Sequence, residues 1–239
     1  GSYYIIYKTI LTNNNAIENG GCISTIPYYG EIIIDECQIS QNQAQNKGGV
    51  IFGHSSGGGI SIKNSHLNDN SAQRGGVVYQ PSGMRHDVVF YNNNFENNQA
   101  TNGEGGVGSF DQAYQLYISI NNCVFSSNSA STDGGVILGN SWASSPALSV
   151  ENCKFINNYS NKTSVISLRN DSYSVSNANF ISNIFSGNYS TNTTNNGTII
   201  NTFYSESNYT ISSYYSYNYF TNNNSNDYSI IYSFPVSAY

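Results

Sequence analysis

Apolar and polar residues alternate along this chain in short bursts, and the bursts recur. Ile32-x-Ile34, Ile60-x-Ile62, Ile118-x-Ile120 and Leu148-x-Val150 each run into a polar pair: Asp35-Glu36, Lys63-Asn64, Asn121-Asn122 and Glu151-Asn152. Each pair is followed by a second burst: Cys37-x-Ile39, Ser65-x-Leu67, Cys123-x-Phe125 and Cys153-x-Phe155. A period of two predicts strands, and the polar break predicts a sharp turn between them. Val50-Ile51, Val77-Val78 and Val136-Ile137-Leu138, each beginning just after a Gly-Gly pair, predict a third short strand. A variable loop then closes the unit, carrying Pro27, Pro81 and Pro146 in three cases. No segment shows the 3.6-residue period of a helix.

Aligned by these bursts, the chain falls into columns. Leu11, Ile39, Leu67, Phe95, Phe125, Phe155, Phe185 and Phe220 are spaced by 28, 28, 28, 30, 30, 30 and 35 residues. Three residues after each comes Asn14, Asn42, Asn70, Asn98, Asn128, Asn158, Asn188 or Asn223. Two further on is a small residue: Ala16, Ala44, Ala72, Ala100, Ala130, Ser160, Ser190 or Ser225. Gly-Gly follows at 20–21, 48–49, 75–76, 105–106 and 134–135 and is then replaced by Ser164-Val165, Gly197-Thr198 and Tyr228-Ser229.

Repeated units of three short strands predict an all-β fold, a single-stranded parallel β-helix of about eight coils without a helical cap. Residues 1–239 read as one domain, with regular coils over 1–157 and degenerate ones over 158–239. Coils about 4.8 Å apart stack identical positions. Phe95, Phe125, Phe155, Phe185 and Phe220 are then expected to form one aromatic stack. Asn42, Asn70, Asn98 and Asn128, with the rest of their column, are expected to form an amide ladder, since each amide both donates and accepts. A second ladder is expected at Asn64, Asn92, Asn122 and Asn152.

The pairing of Phe95-Glu-Asn-Asn98 with Gly105-Gly106-Val107, and of Phe125-Ser-Ser-Asn128 with Gly134-Gly135-Val136, resembles the repeats of the polymorphic outer-membrane proteins of chlamydiae. It is also similar to a repeat of large extracellular proteins of protists. The resemblance covers five coils well and three in part. It implies a right-handed β-helix displayed on a surface, with adhesion as the usual role.

Composition narrows the setting. Only 9% of the 239 residues are charged and the net charge is −6, against roughly a quarter charged in an ordinary domain. The few basic residues are dispersed, which argues against nucleic acid or an anionic membrane as partner. No apolar run approaches the roughly 20 residues of a membrane span. The chain opens on Gly1-Ser2 without a signal peptide and reads as a processed or excised segment. Eight Asn-x-Ser/Thr sequons occur, all from residue 158 onward. Asn161, Asn170, Asn192, Asn196 and Asn208 are the expected glycan carriers, while Asn158, Asn188 and Asn223 are at once sequons and ladder positions, which conflict. The cysteines suggest two bridges, Cys22–Cys37 and Cys123–Cys153, the latter in one column of adjacent coils and so within disulfide reach; four buried free thiols is the other reading.

Candidate chemistry is sparse. Gly103-x-Gly105-x-x-Gly108 matches a dinucleotide fingerprint and Gly53-His54-Ser55-Ser56-Gly57 a nucleophile elbow, but neither is followed by the helix its chemistry requires. His54, His66 and His86 fall in different columns, so no two are placed as metal ligands. The one column rich in charge precedes Gly-Gly: Asn19, Lys47, Arg74, Glu104 and Asp133. Glu104 and Asp133 on adjacent coils could serve a Ca²⁺ or a polysaccharide-cleaving reaction; a surface ladder with an Arg74–Glu104 pair is the plainer reading. Tyr214, Tyr215, Tyr217 and Tyr219 could stack on sugar or cover a subunit contact. No catalytic residue, metal or cofactor is expected. The expectation is a homo-oligomeric extracellular or cell-surface filament subunit carrying N-glycans, built head-to-tail through uncapped ends. The alternatives are an adhesin module of a longer β-helix and a polysaccharide-active enzyme.

Overall fold

A computed structural model of the protein describes residues 2–25, 30–53, 58–141, 147–170, 176–191, 198–204, 211–225 and 231–233. Every element among them is a strand or a turn. Each strand pairs in parallel with its counterpart one unit away, so the chain winds a β-solenoid. It makes about six turns, slightly fewer than the repeat count, although two of its three sheets are stacked eight strands deep. We refer to each repeat as a layer, the first containing Asn14 and the last Asn223.

The Ile-x-Ile burst forms one face, as in Gly30–Asp35 and Gly58–Lys63, and the burst that follows forms the second, as in Gln38–Ser40 and His66–Asn68. The third face is a two-residue strand at the small column, as in Gln43–Ala44 and Gln99–Ala100. Sequence periodicity missed this strand because two residues are too few to show alternation. Conversely, the strand after Gly-Gly is not a face of its own. It joins the first face in a 15-stranded sheet, and Gly108–Asn121 runs without a break from the end of the fourth layer into the first face of the fifth.

Inward residues fill one continuous core from Ile32 to Ile200. The rings of Phe95, Phe125, Phe155, Phe185 and Phe220 stack nearly parallel, with centroids 4.6–5.0 Å apart. That spacing equals one layer, and it combines apolar burial with favourable ring contact.

The corners are built from side-chain amides. At the corner between the second and third faces, each column asparagine accepts the main-chain N–H and one Nδ2–H of the asparagine in the preceding layer. Asn98 N and Nδ2 both donate to Asn128 Oδ1 at 3.0 Å. The remaining Nδ2–H reaches back to a main-chain carbonyl, as from Asn128 to Phe95 at 2.9 Å. The pattern runs unbroken from Asn14 to Asn223. Inside the stack both amide protons and both oxygen lone pairs are used, so a fully buried polar column carries no desolvation deficit.

The expected second ladder at Asn64, Asn92, Asn122 and Asn152 is corrected by the structure. These residues hold the turn itself, with φ between 48° and 54°, a left-handed conformation that asparagine tolerates. Asn92 donates to Asn64 and Asn64 to Asp35, but on the exposed side. The buried column lies one residue later: Cys37, Ser65, Asn93, Cys123, Cys153, Asn183 and Asn218. Its side chains accept main-chain N–H groups of the preceding layer, as Asn93 does from Ser65 and Asn183 from Cys153, both at 2.9 Å.

The third corner is made by glycine. Gly48 has φ +66°, and a Cβ on Gly49 would lie 2.1 Å from the carbonyl oxygen of Gly76 in the next layer. In layers one to five no side chain fits there, so this corner has no amide ladder.

Asn128→Ala should remove an acceptor of two N–H groups and the donor to Phe95 O together. Buried groups left unpaired cost about 1–3 kcal/mol each, so a loss of about 3–6 kcal/mol is expected in urea denaturation. A loss below about 1 kcal/mol would show that the ladder is not the main support of the corner.

Candidate functional site

The charged column before Gly-Gly is the densest polar cluster outside the corner ladders. Stacking brings Asn19, Lys47 and Arg74 into register. The strand after Gly-Gly then places Tyr79, Asp111, Ser167 and Arg169 beside that column. Arg74 grips Asp111 with both terminal nitrogens, at 2.7 and 3.0 Å, and reaches Glu104 at 2.7 Å. Arg169 holds the other Glu104 oxygen at 2.9 Å and also bonds Asp133. Asp133 further accepts from Ser167 and from the main-chain N–H of Gly134 and Thr163. Tyr79 donates to Asp111, and Lys47 donates to the Tyr79 hydroxyl while lying 4.5 Å over its ring.

Two guanidiniums therefore meet three carboxylates, with Lys47 joined to them through Tyr79, and each carboxylate oxygen has a protein donor. Burial opposes charge on Arg74 and Arg169, but the Asp111 and Glu104 carboxylates beside the first, and Asp133 and Glu104 beside the second, more than offset it and hold both guanidiniums charged. The network laces layers two to six along the corner that glycine leaves without side chains. The sequence pattern picked out Glu104, Asp133 and Arg74 but missed Asp111, Tyr79, Ser167 and Arg169. Those four occupy the neighbouring strand, and only register brings them alongside. A general acid needs a proton to give, and a Ca²⁺ site needs oxygens to spare. Among the described residues no group of three or more metal-binding side chains converges.

The remaining candidates separate. Gly105, Gly106 and Gly108 donate their N–H groups to Asp133, Gly134 and Val136, so they form a corner rather than a phosphate cradle. His54 and the rest of the elbow-like stretch after Gly53 lie outside the described residues. The side chain of His66 meets Asn94 at 3.1 Å. Tyr214, Tyr217 and Tyr219 are exposed, whereas Tyr215 stacks on Phe180 at 4.9 Å. Exposed Arg85 pairs with Asp87 and lies 5.2 Å over the Tyr117 ring.

All four cysteines are free thiols in this structure. Cys22 and Cys37 are not partners, because they enter the core from different corners. Cys22 accepts from Asn14 Nδ2, while Cys37 Sγ faces the carbonyls of Ile6 and Asp35. Burial pushes the Cys22 thiol up to about 11. Cys123 and Cys153 do stack, with Cys123 N 3.4 Å from Cys153 Sγ. The hydrogen bond with Cys123, and burial, hold the Cys153 thiol well above its ordinary value.

Among the sequons, Asn161 is exposed. Asn170 ends the strand Thr163–Asn170, and its side chain is not described; Asn192, Asn196 and Asn208 lie outside the described residues. Asn158 and Asn188 are fully buried ladder rungs and cannot carry a glycan in this fold; Asn223, half-buried, is the last rung.

Compared with family models, curated proteins and solved structures, the chain finds no match.

His86 stands apart. It points into the core of strand Gly83–Tyr91, level with Gly58 and Leu116 of the flanking layers. It is buried, and neither ring nitrogen has a hydrogen-bond partner among the described residues. Burial lowers its pKa below the ordinary 6.5, against smaller opposing effects of the Arg85, Asp111 and Pro81 backbone and the Asp111 carboxylate. The unfolded chain takes up this proton near 6.5 and the folded chain resists it. Stability is therefore complete above that pH and declines as pH falls below it. His86→Leu, matching Leu116, should flatten this decline and add about 1 kcal/mol or more at neutral pH, as read by urea denaturation across the pH range. An unchanged pH profile would place the acid sensitivity elsewhere.

Proposed function

We propose that this chain is a structural subunit of an extracellular, N-glycosylated filament, a homo-oligomer joined head-to-tail through the ends of its β-helix. The observation that carries this reading is the first layer. Among the described residues, strands Ser2–Tyr7, Ile10–Thr12 and Asn15–Ala16 each have one partner, which leaves three parallel edges unpaired there. Core-column residues that are buried further along are uncovered here: Tyr4 is 44% exposed, where Ile32 above it is 4%. An open edge with uncovered core residues is a template for continued pairing.

The amide ladder gives that pairing a direction. Asn14 Oδ1 faces outward with no donor among the described residues, and Asn223 offers N–H groups with no next-layer acceptor among them. Opposite ends are complementary, whereas two like first layers would set oxygen against oxygen. A heterologous contact of this kind repeats without closing.

A net charge of −6 with few basic residues gives nucleic acid no purchase. No described helix is long and apolar enough to cross a membrane, and membrane insertion is not part of the reading. In an oxidising compartment the stacked Cys123 and Cys153 lose two protons and two electrons to a disulfide donor and join adjacent layers. Titration of unfolded native material should then find two thiols rather than four; four would refute the bridge. An adhesin module of a longer β-helix is the second reading, favoured by the same open layer, which further coils of one chain would also fit, and by the exposed Tyr91 and Tyr117. A polysaccharide-active enzyme is the least supported, since the Glu104 and Asp133 carboxylates are committed to arginines.

Electron microscopy of native material tests the main reading. Filaments with one chain per roughly 38 Å, eight layers at about 4.8 Å, are expected, and Leu11→Asp in the open layer should shorten or abolish them. Isolated rods at high concentration would sink the filament and bring the adhesin forward.

A further inference from the structure

The small column changes chemistry late in the chain. Layers two to five carry Ala44, Ala72, Ala100 and Ala130; layers six and seven carry Ser160 and Ser190. All are buried, and neither the Ser160 nor the Ser190 hydroxyl has a hydrogen-bond partner among the described residues. Alanine fits the same place without a polar atom to desolvate, so the hydroxyls are a cost to the folded state. What they do create is a glycosylation sequence at two ladder rungs, Asn158-Tyr159-Ser160 and Asn188-Tyr189-Ser190.

The folded state closes both rungs to that chemistry. Asn158 Nδ2 gives one proton to Phe125 O at 3.0 Å and the other to Asn188 Oδ1 at 2.9 Å, while its oxygen accepts from Asn128 N and Nδ2. Asn188 does the same between Phe155 O, Asn223 Oδ1 and Asn158. Both side chains are fully buried. In N-glycosylation the amide nitrogen attacks the anomeric carbon of a lipid-pyrophosphate-linked oligosaccharide. The bond from that carbon to the pyrophosphate oxygen breaks, lipid pyrophosphate leaves, and the nitrogen gives up one proton. The product retains a single N–H where the ladder uses two, and it carries a sugar chain that the closed corner cannot hold.

We infer that Asn158 and Asn188 are fold-gated modification sites, acceptors of N-glycan in the open chain only, at which glycosylation and closure of layers six and seven exclude one another. The setting rests on the extracellular reading above; the exclusion itself rests on the ladder. Parallel pairings are long-range and slow to form, so an open chain is exposed to the transferase for a time set by its own folding. A chain that closes promptly is immune, and one that lingers is marked at positions that prevent closure. Asn161, three residues beyond Asn158, is exposed, but the Thr163 that completes its sequon is fully buried, so this site too is offered to the transferase mainly by the open chain.

The test uses the full chain, made without glycan, incubated with purified oligosaccharyl transferase and lipid-linked oligosaccharide. Synthetic peptides spanning 152–166 and 182–196 serve as the open-chain reference, and site occupancy is read by mass spectrometry. The peptides should be modified at Asn158 and Asn188, and transfer to those two in the folded chain should be at least a hundredfold slower. Comparable rates at Asn158 or Asn188 in the folded chain, or peptides refractory at both, would overturn the inference. The double variant Ser160→Ala, Ser190→Ala should melt at a higher temperature than the parent; a lower one would give the hydroxyls a structural role and remove the argument's starting point. Native material lacking glycan at every sequon would defeat the glycoprotein reading while leaving the exclusion intact.

Discussion

The asparagine ladder is the constraint on which the rest of this solenoid depends. A strand that turns a corner leaves main-chain N–H and C=O groups that no longer face a partner strand, and in a stack this deep they are sealed from water. An amide answers both needs, since one oxygen accepts two N–H groups from the layer before and one nitrogen serves a carbonyl behind and the next amide ahead. Shorter or purely accepting side chains satisfy only part of this. The corner between the first two faces makes that distinction visible, for there serine and cysteine share the column with asparagine wherever one main-chain N–H is the main demand.

Because each rung is completed by the next, the ladder has a direction, and the direction is a property of the whole rod. It gives the two ends opposite hydrogen-bonding character and makes the interior rungs intolerant of any chemistry that consumes an amide proton. The sequons at Asn158 and Asn188 fall under that rule, while Asn161 escapes it by lying outside the corner.

Where glycine forms the corner, support comes from charge. Arg74 and Arg169 reach across layers to Glu104, Asp111 and Asp133, doing at longer range what the amides do in contact. A mutually saturated network of this kind costs much of its own attraction in desolvation. Its effect is to fix register along an edge that lacks side chains.

The repeat spacing alone established the solenoid, the Phe95-to-Phe220 stack and the column that became the ladder, because in a parallel stack equal position in the unit means contact in space. Local pattern could not reveal the two-residue third face at Ala44 and Ala100, nor that Asn92 sets a turn while Asn93 fills the core, since adjacent residues of like type differ only in backbone φ. Nor could it bring Asp111 and Arg169 to the charged column, or show that Cys22 and Cys37 enter from different corners. The columns are therefore written in one dimension. Which way each side chain faces, and which neighbouring strand it meets, is decided only when the chain closes its turns, because those contacts depend on the angle of every corner between them.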